Sequence, residues 1–244
     1  MMKLRGRVAI VTGSGQGIGR AIAEKLSSEG AEVVIADVNE DTARKAAADL
    51  GGMAVTTDVS SPEQVDQLTR AVLSRHGKID VLVNNAAIVP FVPWTELDFA
   101  QWRSIMSVNL DGVFLTCHAV YPHMQAAGYG RIVNIASNVV LAGTPNMAHY
   151  VAAKGGVMAF TRALATELGG SGITVNAVAP GLTASEGVLG GPHAEAFDFV
   201  VSLQAIPRRA VPADIAPAVS FLASEEAAWI TGAMILADGG HTRH

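Results

Sequence analysis

At 244 residues and 50% hydrophobic content, the chain is long enough to bury one sizeable α/β core. A formal net charge of −5 and a pI near 5.8 leave no basic footprint, which argues against nucleic acid or an anionic membrane as a partner. Cys117 is the single cysteine; no internal disulfide can form, and its apolar neighbours predict a buried, inert thiol in a reducing compartment.

No apolar run reaches membrane-spanning length, and Val8 to Val11 behind the basic N-terminus is too short for a signal-peptide core. A cytoplasmic location is expected.

Residues 7–12 are a short apolar run of the kind buried in a parallel sheet. Gly13, Gly17 and Gly19 follow at once, and residues 20–28 turn helical. Strand, glycine turn and helix together make a phosphate cradle, in which backbone amides and a helix N-terminus face a pyrophosphate. Gln16 and Ile18 lie within that turn and are expected against the same ligand. No Gly-Lys-Ser/Thr follows, which excludes the P-loop hydrolases.

The second strand, residues 32–36, ends in Asp37, where an acid can accept hydrogen bonds from an adenosine ribose. Its charge would repel the extra phosphate of NADP, and neutral Gln16 and Val38 offer that phosphate no cation. NAD is therefore the expected cofactor. The competing reading of Asp37 is an acidic cap for a helix over residues 40–50.

Residues 53–57 read as a third strand, with Asp58 and Val59 at its carboxyl end. Ser61, Pro62 and Gln64 then predict a capped helix start. A fourth strand over 79–83 runs into Asn84, Asn85, Ala86 and Ala87. The paired amides either tie neighbouring strands and line a cofactor cleft, or simply form a turn.

A stiff loop over residues 90–94 leads to a long helical stretch, broken or not, from about Thr95 to Gln125. Asn109 lies within it among Met106, Val108 and Leu110. Either it bends the helix through a local water or it is a satisfied core amide.

Residues 131–136 are strand-like, and Ser137 stands at the strand's end. A helix runs from His149 to about Leu168, so Tyr150 and Lys154, four apart, share one face. An isolated Tyr-x-x-x-Lys is ordinarily a helix-surface pair. Beside Ser137 it is an acid–base set: a lysine cation lowers the tyrosine pKa from about 10, and the serine holds the substrate oxygen.

A strand over 172–178 ends at Pro180 and Gly181. Residues 182–204 read as a mobile lid or substrate loop rather than a core element. A helix from Pro212 and a strand over 233–237 complete the chain. Gly13, Asp37, Asp58, Asn84, Ser137 and Pro180 all fall at strand carboxyl ends, where doubly wound sheets bind ligands. The expectation is one domain over 1–244: a doubly wound (Rossmann) parallel sheet of about seven strands with helices on both faces.

Thr12-Gly13-x-x-x-Gly17-x-Gly19, Asn84-Asn85-Ala86, Asn109, Ser137, Tyr150-x-x-x-Lys154 and Pro180-Gly181 together resemble the short-chain dehydrogenase/reductase family over essentially the whole chain. The resemblance implies an NAD(P)-dependent oxidoreductase, usually a homotetramer, with Asn109, Ser137, Tyr150 and Lys154 as its catalytic tetrad and Asn109 holding a water that renews the proton supply. It also implies cofactor contacts at Asn85, Ala86, Pro180, Gly181, Thr183 and Ser185. Ala87 replaces a usual glycine, and Ser185 a threonine that often meets the nicotinamide amide.

Within the family, the stretches over 85–92, 135–138 and 142–147 and the Arg-His carboxyl end look similar to pyridoxal 4-dehydrogenase, and less so to 1-phenylethanol dehydrogenase. These resemblances imply an alcohol or hemiacetal substrate of aromatic type, or the reverse reduction of a bulky ketone.

Ile88, Asn138, Asn146, Met147, Val188 and Phe197, with the lid over 187–199, are the substrate-contact candidates. His149 points about a hundred degrees away from Tyr150 on the helix, toward packing or an interface. His241 and His244 lack partners at ligand spacing, so no catalytic metal is expected. A non-catalytic NAD sensor would have little use for the tetrad, and a serine hydrolase needs a Gly-x-Ser-x-Gly elbow that the chain lacks.

Overall fold

Seven parallel strands form the centre of the computed structural model, in the order β3-β2-β1-β4-β5-β6-β7. The structure describes residues 2–191 and 195–242. The strands are β1 Val8–Thr12, β2 Glu32–Asp37, β3 Met53–Thr56, β4 Val81–Asn84, β5 Gly130–Ile135, β6 Ile173–Pro180 and β7 Met234–Ala237. The order reverses between β1 and β4, and at such a switch point the loops part and open a crevice.

Period-two alternation divides the core. Ala9 and Val11, Val33 and Ile35, and Val81 and Val83 face helices α1 (Gly17–Ser28), α2 (Glu40–Leu50) and α10 (Pro212–Ala223). Ile10, Val34, Leu82 and Ile132 face α3 (Pro62–His76), α5 (Gly112–Ala127) and α7 (Ala148–Leu168). Both faces of the strands are covered, which is why they read as nearly continuous apolar runs.

Local chemistry sets the helix ends. Ser61 accepts a hydrogen bond from the Gln64 amide at 3.3 Å, with Pro62 at the first helical position. α2 is capped by Asn39, whose side chain accepts from the Thr42 amide at 3.1 Å. Asp37 is therefore not the cap.

The helix expected near Thr95 begins at Phe99 as α4 (Phe99–Met106), because Asp98 and Gln101 form a reciprocal capping box there. A π-helical turn, Ser107–Asp111, separates α4 from α5, so the long helix is broken at Asn109.

Residues 182–204 are less free than the sequence suggests. They hold two short helices, α8 (Glu186–Leu189) and α9 (Phe197–Leu203), and a bridge pairs Thr183 with Ala210. Phe197 is only 1% exposed, and the Arg209 guanidinium lies 5.0 Å from its ring centroid. Burying such a ring contributes about 1.5–3 kcal/mol, so this end of the segment is anchored in the core. The middle of the expected lid, residues 192–194, and the Arg-His carboxyl end lie outside the described residues.

Candidate active site

The glycine turn is tight for a steric reason. Gly13 has φ +61°, and a Cβ there would lie 2.7 Å from the Ala86 Cα; one on Gly19 would overlap the Gly13 carbonyl oxygen. Side chains at these positions would push apart the ends of β1 and β4 and close the approach to the backbone. Gln16 precedes α1 in extended conformation without a side-chain cap, so the first amides of the helix stay available to an anion.

That availability is used within the chain: the Gly17 amide donates to Glu186 Oε2 at 3.1 Å. A carboxylate thus stands where a phosphate oxygen would, and the cradle is suited to negative charge.

A cleft of about 510 Å³ extends from this turn, lined by Gly13, Gln16, Gly17, Ile18 and Gly19, by Asp37 and Val38, by Asp58 and Val59, and by Asn85, Ala86 and Ser185. Thr57, Ala87 and Val108, which the sequence does not single out as contacts, also line it, as does Gly187 at the start of the expected lid. The Asp37 carboxylate accepts from the Gly15 amide at 2.8 Å and the Asn39 amide at 3.0 Å, which fixes it across the mouth of the turn. Each oxygen keeps a lone pair for a ribose hydroxyl.

The two asparagines divide the work offered for them. Asn84 donates to Asn134 at 2.9 Å and accepts from Thr116 at 2.6 Å, joining β4 to β5 and α5. Asn85 donates to the carbonyls of Thr12 at 3.0 Å and Gly13 at 2.9 Å, and lines the cleft.

A second cavity of about 250 Å³ shares Ile18, Asn85, Ala87 and Ser185 with the cleft, so one elongated ligand can reach from the glycine turn into it. Ser137, Tyr150, Lys154, Pro180, Gly181 and Thr183 line this second cavity. These two joined spaces, with the anion-ready turn, fit a dinucleotide.

Ser137 follows β5 and lies against Tyr150, which rises from the first turn of α7 and is 8% exposed. Burial pushes the Tyr150 phenol up to about 12, and its hydrogen bond with Ser137 acts in the opposite sense without overcoming it. The Lys154 ammonium lies 5.8 Å from the Tyr150 ring centroid and donates to the Ile135 carbonyl at 2.6 Å. Burial draws it down to about 8. The expected lowering of the phenol by Lys154 does not arise from the protein groups alone, because desolvation dominates at this buried phenol.

Asn109 is fully buried, and its side chain clasps one residue. Its Nδ2 donates to the Ile88 carbonyl at 2.8 Å while its Oδ1 accepts from the Ile88 amide at 2.9 Å. Of the alternatives offered by the sequence, this is the satisfied amide, and it pins the loop that follows β4.

Three of the six substrate candidates, Asn138, Met147 and Val188, line the smaller cavity. The other three do not. Ile88 is held by Asn109 and faces the cofactor cleft. Asn146 takes a left-handed conformation (φ 59°) and its carbonyl accepts from the Val92 amide at 2.8 Å, serving the loop. Phe197 is in the core.

The sequence reading missed Phe91, Thr144 and His241, all of which line the cavity, as does Leu182 at the start of the expected substrate loop. From the sequence alone, His241 stands out only as a possible metal ligand. Its position depends on β7 pairing with β6, which carries the carboxyl end of the chain past Pro180.

His149 is fully buried, with no hydrogen-bond partner on either ring nitrogen among the described residues, and does not line the cavity. Cys117 is buried, and desolvation pushes its thiol up to about 12. Among the described residues no three His, Cys, Asp or Glu side chains gather as metal ligands, and no helix is long and apolar enough to cross a membrane. His244 lies outside the described residues.

Comparison with known proteins agrees with this geometry. A family model described as enoyl-(acyl carrier protein) reductase matches residues 13–242. The cis-4-hydroxycyclohexanecarboxylate dehydrogenase of Sinomonas cyclohexanicum is 43% identical over 97% of this chain and 96% of its own. The D-threitol dehydrogenase of Mycolicibacterium smegmatis is 38% identical over 98% and 94%. The crystal structure of gox2181 superposes with a TM-score of 0.95 at 36% identity, covering 98% of this chain and 97% of that one. The chain belongs to the short-chain dehydrogenase/reductase family, and it is an NAD(P)-dependent oxidoreductase.

Proposed function

We propose that the chain is an NAD-dependent alcohol dehydrogenase for a ring-bearing secondary or benzylic alcohol, or a hemiacetal such as that of pyridoxal. The observation that carries this reading is the set of Ser137, Tyr150 and Lys154 around one largely apolar cavity that opens onto the glycine-turn cleft.

Tyr150 takes the proton of the substrate hydroxyl, and Ser137 holds the same oxygen by a hydrogen bond. Lys154, seated on the Ile135 carbonyl, places a cation behind the phenol and would hold the ribose hydroxyls of the cofactor. Asn109 steadies the loop at Ile88 and, following the family pattern, serves the proton supply. NAD supplies the hydride acceptor and a positive ring that favours the phenolate.

Gly13, Gln16, Gly17, Ile18 and Gly19 hold its pyrophosphate. Asp37 and Val38 would take the adenosine ribose, Asp58 and Val59 would line the cofactor cleft beside it, and Asn85, Ala86, Pro180, Gly181, Thr183 and Ser185 would seat the nicotinamide half. NAD is preferred to NADP because the Asp37 carboxylate stands at the turn and no cation lines the cleft among the described residues.

Ring-bearing substrates are supported by the apolar lining from Ile18, Val89, Phe91, Val139 and Leu182 and by the ring alcohol named for the Sinomonas relative. Neither that relative nor the threitol enzyme is named for pyridoxal, so pyridoxal rests on sequence resemblance. The same site run in reverse reduces a bulky ketone. A single domain over 1–244, a homotetrameric assembly and a cytoplasmic location complete the reading.

A screen following NADH absorbance with NAD, secondary cyclic and benzylic alcohols, 1-phenylethanol and pyridoxal tests it. Oxidation of a ring alcohol is the expected result. Turnover confined to small linear diols would overturn the substrate class.

A further inference from the structure

The smaller cavity is lined by no aspartate or glutamate among the described residues; its ionisable side chains are Tyr150, Lys154 and His241. His241 belongs to a hydrogen-bonded chain outside the tetrad. Asp238 is 3% exposed, and it accepts from the Thr242 amide at 2.9 Å and hydroxyl at 2.7 Å, and from the Gly240 amide at 3.0 Å. Burial works to raise its pKa, but these bonds outweigh it and hold the group below its ordinary value as a carboxylate.

The same carboxylate takes an N–H from Asn138 at 3.1 Å, which orients the Asn138 amide nitrogen toward it. That nitrogen is also 3.2 Å from His241 Nδ1. An amide nitrogen can only donate, so Nδ1 must accept, and the proton of a neutral imidazole resides on Nε2. The ring therefore offers one N–H donor beside an apolar wall.

We infer that His241, its tautomer set by Asp238 through Asn138, is a specificity-determining residue that binds a hydrogen-bond acceptor, a carboxylate or carbonyl oxygen, carried by the substrate alcohol away from its reacting carbon. This rests on the alcohol-dehydrogenase reading of the cavity. With no carboxylate lining the cavity among the described residues, the donor favours anionic or neutral acceptors over amines. A half-buried donor that a bound substrate covers also discriminates against a substrate that lacks an acceptor, because it is then left unpaired.

The test compares ketone products as equilibrium ligands. NADH-loaded protein is titrated by calorimetry with acetophenone and with 3- and 4-acetylbenzoate, in the native chain and in His241→Leu and His241→Gln. The native protein should bind one acetylbenzoate about tenfold or more tightly than acetophenone. His241→Leu should erase that preference while binding acetophenone as before, and His241→Gln, which keeps an N–H donor, should retain part of it.

A native protein without the preference, or a preference that survives His241→Leu, overturns the inference. Should His241→Leu lose all binding, His241→Gln decides: equal affinity for both ketones also overturns it. NADH consumption is followed separately. Preference without turnover leaves the role of His241 standing and removes the substrate reading, and turnover without preference does the reverse.

Discussion

The amide of Gly17, the first residue of α1, donates to the carboxylate of Glu186 at 3.1 Å. The bond spans 169 residues and links the segment over the cavity to the helix end that faces the cofactor. An anion there is favoured by the helix dipole, and a pyrophosphate seeks the same amides. The two negative groups compete. Glu186→Gln should therefore tighten NADH binding by about two- to fivefold, the equivalent of ~0.3–1 kcal/mol. Fluorescence titration measures it; equal or weaker binding in the variant would show that the carboxylate moves aside without cost.

Tyr150 is the only phenol lining the cavity among the described residues, and its hydroxyl is hydrogen-bonded with Ser137. Tyr150→Phe should lower kcat by about 10²-fold or more and leave NADH affinity nearly unchanged. Activity equal to that of the parent chain would remove Tyr150 from the mechanism.

Asp37 meets the Gly15 and Asn39 amides with a carboxylate that a second phosphate would have to approach. Asp37→Ala should raise kcat/KM with NADP relative to NAD by about tenfold or more, since each 1.4 kcal/mol of repulsion removed is a factor of ten. An unchanged cofactor ratio would reduce Asp37 to a structural acceptor within the turn.

Lys154 gives a pH prediction. Its folded pKa is drawn down to about 8 from 10.5 by burial. Below pH 8 both folded and unfolded states carry the proton, and burying that charge costs about 3 kcal/mol. Between pH 8 and 10.5 the unfolded chain holds more protons, so this group's contribution to stability increases as pH rises through that window and is lost as pH falls back through 8. Tyr150, pushed up to about 12 from 10, acts oppositely: its contribution is complete below pH 10 and is lost as pH rises toward 12. In cofactor-free protein, the stability of the native chain relative to Lys154→Met should rise from pH 8 to 10. A flat difference across denaturant melts in that range would mean that Lys154 keeps its charge in the fold with an unshifted pKa.

Much of the site was legible from local pattern. Gly13, Asp37, Ser137 and Pro180 each lie at or just past a strand end, and strand ends can be read from an apolar run and the residue that interrupts it. In an all-parallel sheet those ends must share one edge, so their convergence followed once the alternation of strands and helices was recognised. The Tyr150–Lys154 pairing was equally local, a matter of helical spacing.

What local pattern could not reach were contacts made between distant segments. Asn109 and Ile88 join in one clasp because a π-helical turn rotates the amide toward the loop after β4, and no periodicity encodes that rotation. Phe197 looks like a lid residue by composition, yet it goes to the core because Arg209 and the Thr183–Ala210 bridge draw its segment inward.

The sequence by itself determined the chemistry: a glycine turn, an acid at the second strand and a phenol and ammonium on one helical face, all dictated by short-range spacing. Only the tertiary structure decided the surroundings of that chemistry. It buried the phenol enough to raise its pKa, set a glutamate on the phosphate cradle, and brought His241 beside Asn138. Desolvation and long-range register depend on what every other segment excludes or carries into place.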